Sequence, residues 1–155
     1  MTVEQHRTER CDTYSVSIAA PPAFVWTILS DVREWPRFSP FALAVRQTSA
    51  TTYTVTSPQG EVALSSDFDG KLGLLDHTVG LPDGTRVFIP YRVVPNHRGS
   101  ELIMTNVKSP GDSTGDYEEQ LAWMRTELEQ AKGYVEQRYT SDLQPDAYRP
   151  QTLSP

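Results

Sequence analysis

Tyr14, Val16 and Ile18 alternate with Thr13, Ser15 and Ser17, the period-two pattern of a strand with one buried face. Pro21 and Pro22 end that strand and suit the first turn of a helix, after which Val25, Ile28, Leu29 and Val32 recur at helical spacing. Asp31 is placed to cap a second short helix carrying Trp35. Pro36 and Pro40 break it up, leaving Phe38 and Phe41 on a constrained aromatic connection that resembles a lid. Strand-like runs follow at 42–48, 52–57, 61–69, 72–81, 85–94 and 100–108. Ser49-Ala50, Pro58-Gln59-Gly60, Asp69-Gly70, Pro82-Asp83-Gly84 and Asn96-His97-Arg98-Gly99 separate them and are short enough for hairpins, so a meander is expected. Beyond Pro110-Gly111, Tyr117, Leu121, Met124, Leu128, Ala131 and Val135 step by three or four along one long amphipathic helix. Its other positions, including Glu119, Arg125, Glu127, Glu129, Lys132 and Glu136, read as a solvated face.

These elements predict an α+β fold: a curved seven-stranded antiparallel sheet wrapped around a long C-terminal helix, with two short helices after strand 1. One domain is expected over 12–139, between a flexible polar N-terminus at 1–11 and an irregular, proline-bearing tail at 140–155.

Hairpin geometry gives the register, because residues paired across strands share a face. A three-residue turn at 82–84 sets Val79 opposite Val87, His77 opposite Ile89 and Leu75 opposite Tyr91. The next turn pairs Val93 with Leu102, Tyr91 with Met104 and Ile89 with Asn106. Carrying the register in the other direction pairs Leu75 with Ser66 and His77 with Leu64, and Tyr53 and Val55 join from the third strand. The expected lining is therefore Tyr53, Val55, Leu64, Ser66, Leu75, His77, Ile89, Tyr91, Met104 and Asn106, with Asp67, Asp76, Arg92 and Glu101 outside. Trp35, Phe38 and Phe41 would close one mouth, and Trp123 or Met124 would form the opposing wall.

Charge and composition then exclude whole classes. With 14 basic and 20 acidic residues, the chain has a net charge of −6, the wrong sign for gripping a phosphate backbone, so no nucleic-acid partner is expected. The single cysteine, Cys11, excludes an internal disulfide and any multi-thiolate zinc site. No apolar run approaches a membrane span and the N-terminus is charged where a signal peptide is apolar, so a cytoplasmic protein is expected. No glycine-rich phosphate loop occurs and Asp69 is better used in a turn, so neither a cofactor nor a metal is implied. An exposed strand edge leaves pairing into a homodimer open.

The sequence resembles the START and Bet v 1 (SRPBCC) superfamily with its helix-grip fold, in particular the bacterial polyketide cyclase/dehydrase-like members. The resemblance covers roughly residues 12–139. It rests on Ile18-Ala19-Ala20-Pro21-Pro22 leading into Val25-Trp26, on Asp31 to Trp35-Pro36, on Leu75-Asp76-His77, on Pro90-Tyr91-Arg92-Val93-Val94-Pro95-Asn96 and on the closing helix. It implies an apolar cavity between sheet and helix for a polyketide-like or lipid-like molecule. Within the expected lining His77 is the candidate acid/base, and Tyr91 and Asn106 are candidate donors to an enolate oxygen, a set suited to cyclisation and dehydration. A non-catalytic carrier or sensor remains the alternative, with His77 then a core histidine held by its neighbours.

Overall fold

The computed structural model describes residues 6–152, with side-chain surroundings through Leu143. The first strand, β1 (Cys11–Ile18), leads through Pro21 into α1 (Pro22–Leu29), and a 3-10 segment (Val32–Arg37) follows. The Asp31 side chain accepts from the Arg33 N–H at the start of that segment, as expected of a cap. The meander comprises β2 (Ala44–Gln47), β3 (Thr52–Ser57), β4 (Gly60–Asp69), β5 (Leu74–Gly80), β6 (Arg86–Ile89), β7 (Tyr91–Asn96) and β8 (Gly99–Val107), and α2 (Thr114–Thr152) closes the fold. The sheet order is β1-β8-β7-β5-β4-β3-β2, with β6 also on β5. This is the helix-grip arrangement, with the expected run at 85–94 divided at Pro90 because proline has no N–H to give the ladder.

α2 continues to Thr152, past the point where an irregular tail was expected from Thr140. A helix already nucleated and docked gains one hydrogen bond for each added residue that carries an N–H, which Pro145 and Pro150 do not, and this offsets weak local patterning.

Two of the hairpin registers agree with the sequence reading. His77 pairs with Ile89 and Val79 with Val87, while Tyr91 pairs with Met104 and Val93 with Leu102. The β4–β5 pairing differs by two residues: His77 faces Ser66, Leu75 faces Phe68 and Leu64 faces Val79. The turn is longer than Asp69-Gly70, since Asp69 pairs with Leu74 and its carboxylate accepts from the Lys71 and Leu72 N–H groups. Gly73 completes it at φ +68°, where a Cβ would collide with the Val93 carbonyl oxygen. A slip of two leaves every side chain on its original face, so Leu64 and Ser66 keep the side expected of them.

The core lies between the concave face of the sheet and α2, where Tyr117, Leu121, Met124, Leu128, Ala131 and Val135 are all buried. α2 lies mainly along β1, with fewer contacts to β8. The face of β5 beside His77 is covered by Trp35, whose indole N–H donates to the Leu29 carbonyl at 2.8 Å.

Candidate functional site

Three rings from three elements meet under the 3-10 segment. Trp35 lies edge-on to His77 with centroids 5.1 Å apart, His77 to Tyr91 at 6.0 Å, and Trp35 to Tyr91 at 6.5 Å. The register explains the meeting, because His77 and Tyr91 occupy the same face of β5 and β7. His77 Nδ1 donates to the Leu75 carbonyl at 2.9 Å, which leaves the Nε2 lone pair as the reactive face of a neutral ring. Burial lowers the pKa of His77, and only part of that shift is offset by the Leu75 bond and the Asp76 charge.

Tyr91 is 2% exposed and its hydroxyl has no hydrogen-bond partner, the one such buried side-chain atom among the described residues. A buried unpaired hydroxyl costs about 1–3 kcal/mol. Burial holds its proton well above the usual phenol range, and the Glu127 carboxyl adds to the effect. The Tyr91 N–H, freed by the break at Pro90, is taken at 2.8 Å by the Asp76 carboxylate, which also pairs with Arg92 at 3.2 Å. Asp76 was expected outside. It does face away from the rings, yet it is buried, because it stands in for the missing rung of the ladder.

Glu127 is a correction to the sequence reading, which placed it on a solvated face. It is half-buried on the flank of the apolar stripe of α2, and burial pushes its carboxyl up, an effect that the Ser39 hydroxyl partly offsets. Ser39 in turn accepts from the Phe41 and Ala42 N–H groups, which braces the segment after the 3-10 turn, and Phe38 at its start packs on Tyr134 of α2. A Glu one position before Leu128 and three after Met124 was the available signal.

Asn106 is buried but engaged elsewhere. Its amide donates to Gln120 at 3.1 Å, Gln120 donates to Asp112 at 2.9 Å, and the chain pins the first turns of α2 to β8. Of the expected lining, Tyr53, Val55, Leu64, Leu75, Met104 and Met124 are buried on the concave side, and Ile89, Phe41, Ser66 and Trp123 are half-buried. The Ser66 hydroxyl is spent on the Thr51 carbonyl at 3.3 Å. Phe38 is buried against Tyr134 at 5.5 Å. Beside that pair an open cleft of about 400 Å³ runs between the 3-10 segment and α2, lined by Arg37, Ser39, Gln130 and Gln137 among others. Among the described residues no cluster of His, Cys, Asp and Glu is disposed to hold a metal ion.

A family model described as polyketide cyclase/dehydrase and lipid transport matches residues 18–108. The chain belongs to this family. Membership places this polyketide cyclase/dehydrase-family protein among proteins that handle hydrophobic small molecules, and no helix among its described residues is long and apolar enough to cross a membrane. No curated protein matches it. Among solved structures it resembles the ZhuI aromatase/cyclase from Streptomyces sp. R1128, at 18% identity and a TM-score of 0.62 over 84% of this chain and 95% of that one. It resembles the di-domain aromatase/cyclase BexL of the BE-7585A biosynthetic pathway at 16% identity and a TM-score of 0.67, covering 82% of this chain and 46% of that one. Ara h 8.0201 shares the fold at 13% identity and a TM-score of 0.61, over 81% of this chain and 97% of that one.

Proposed function

We propose that this protein binds a hydrophobic, carbonyl-rich molecule, polyketide-like in chemistry, between sheet and α2, and promotes its cyclisation and dehydration. The observation that carries this reading is the Tyr91 hydroxyl, buried without a partner next to a neutral His77. In the proposed reaction His77 Nε2 takes a proton from a carbon flanked by two carbonyls, while Tyr91 donates to the enolate oxygen that forms. The carbanion attacks a second carbonyl of the same chain, making the C–C bond, and the new alkoxide takes the proton back from His77. Removal of the next α-proton and return of that proton to the departing hydroxyl releases one water. The surrounding apolar wall, including Leu75 and Met104, would hold the chain folded so that one intramolecular attack is favoured over others. Asn106 has a positioning role in this scheme, since its amide is committed to Gln120.

The test is turnover of a synthetic linear poly-β-ketone followed by mass spectrometry for loss of one water. Replacing an acid/base group costs about 10²–10⁴-fold, so His77→Gln is expected to lose at least about a hundredfold in rate while still binding the ketone. Full turnover by His77→Gln would remove the assigned role. The family also embraces lipid transport, and binding of the ketone by the wild type with no loss of water would favour a carrier.

A further inference from the structure

His77, Tyr91 and Trp35 are buried, so a ligand reaches the three rings only when something that covers them moves. Trp35 lies over His77, and its carbonyl accepts from the Phe38 and Ser39 N–H groups at 3.0 and 2.8 Å. Trp35 and Phe38 therefore move together. Phe38 also lines the open cleft of about 400 Å³ between the 3-10 segment and α2, so one short piece of chain has the cleft on one side and the rings on the other.

Side chains tie that piece to α2. The Tyr134 ring packs on Phe38 at 5.5 Å, its hydroxyl donates to Glu34 at 3.1 Å, and Arg138 donates to the same hydroxyl at 2.9 Å. Glu34 also pairs with Arg37 at 2.6 Å within the segment. Exposed polar ties contribute little net stability, and a 3-10 turn has poorer hydrogen-bond geometry than an α-helix. On the α2 side the cleft is lined by Gln130, Gly133, Tyr134 and Gln137. A Cβ added at Gly133 would have nothing within 4 Å. No packing demands a glycine there, and glycine weakens a helix interior relative to alanine, so what the residue supplies is room.

We infer that this cleft is the entrance to the interior: the 3-10 segment lifts from α2 to admit the ligand, and Gly133 keeps the way wide enough. This rests on the ligand-binding reading above and adds the route by which the ligand arrives. The amides of Gln130 and Gln137 border that route, so a carbonyl-bearing molecule can exchange water for hydrogen bonds on its way in.

The experiment follows binding of 6-propionyl-2-(dimethylamino)naphthalene, a ketone whose emission shifts to the blue in apolar surroundings, to the full chain by stopped flow. Gly133→Leu narrows the cleft from an exposed helical position at which leucine also favours the helix. It is expected to slow association and dissociation alike by about tenfold, with Kd within about twofold of the wild type, because a residue on the route alters the barrier and not the end states. Tyr134→Phe keeps a ring against Phe38 and removes both hydroxyl bonds, and is expected to speed both rates about threefold. Unchanged rates in Gly133→Leu, with the probe bound as in the wild type, would overturn the entrance and leave the ligand-binding reading standing. Weaker binding by Gly133→Leu through faster dissociation would also overturn it, by placing the probe in the cleft itself. Rates in Tyr134→Phe at or below those of the wild type would overturn the lifting of the segment. Failure of the wild type to bind the probe would overturn the entrance and the ligand-binding reading together.

Discussion

Two tyrosines are sealed between the sheet and α2, and they differ in one respect. The Tyr117 hydroxyl lies 2.9 Å from the Asp12 carboxylate and 2.8 Å from the Asn106 carbonyl, inside a network that continues through Gln120 to Asp112. The Tyr91 hydroxyl touches no polar partner. Both are essentially inaccessible to water, so burial alone does not account for the contrast. A folded chain satisfies its buried polar groups wherever satisfaction serves stability, and an exception marks a place where something else is served. The Tyr117 end fastens the helix to β1 and β8. The Tyr91 end, beside His77, leaves its donor unpaired, as the proposed ligand-binding role requires.

Deleting each hydroxyl should separate these roles. Tyr117→Phe is expected to cost about 1–3 kcal/mol, read from urea unfolding as a lower midpoint at unchanged slope, because the buried Asn106 carbonyl loses a donor. Tyr91→Phe is expected to change the stability of the empty protein by less than about 0.5 kcal/mol, or to raise it, since no bond is lost and an unpaired group is removed. Equal destabilisation by both substitutions would break the comparison and make Tyr91 another structural tyrosine.

Most of the framework on which this contrast stands was legible in the chain. Pro21-Pro22 and Asp31 announced the short helices, and the three-residue turn at 82–84 fixed which face His77 and Tyr91 share. The β4–β5 register was not legible, since Asp69-Gly70 reads as a complete turn and nothing local shows that the chain runs on to Gly73 before reversing. Asp76 and Glu127 were misplaced for a common reason. Strand and helix periodicity tell which way a residue points, and not what lies there. Asp76 points outward and is buried because Pro90 frees a backbone N–H beside it. Glu127 points along the flank of a helix and is half-buried there, where burial raises its carboxyl. A proline within a strand was a readable warning of the first, whereas the second depends on a contact between distant segments.

The smallest effect, and the one that tests the contrast without touching either tyrosine, is the dependence of stability on pH. Burial raises the Glu127 carboxyl, so above the usual carboxylate range the folded chain holds a proton that the unfolded chain has released. Stability from this group is therefore full at low pH and falls as pH rises through its raised value. His77 is lowered, so below about 6.5 the unfolded chain takes up a proton that the folded chain resists, and stability falls as pH drops through that window. Tyr117, pushed up to about 12 by burial and by Asp12, is silent across the neutral range. Thermal unfolding between pH 4 and 9 should then show Glu127→Gln flattening the limb that descends with rising pH, and His77→Gln flattening the limb that descends with falling pH. Tyr117→Phe should lower the whole curve and leave its shape alone. A curve whose shape Tyr117→Phe alters, or Glu127→Gln does not, would place the titrating groups at the helix-fastening end and undo the division of labour between the two ends of the core.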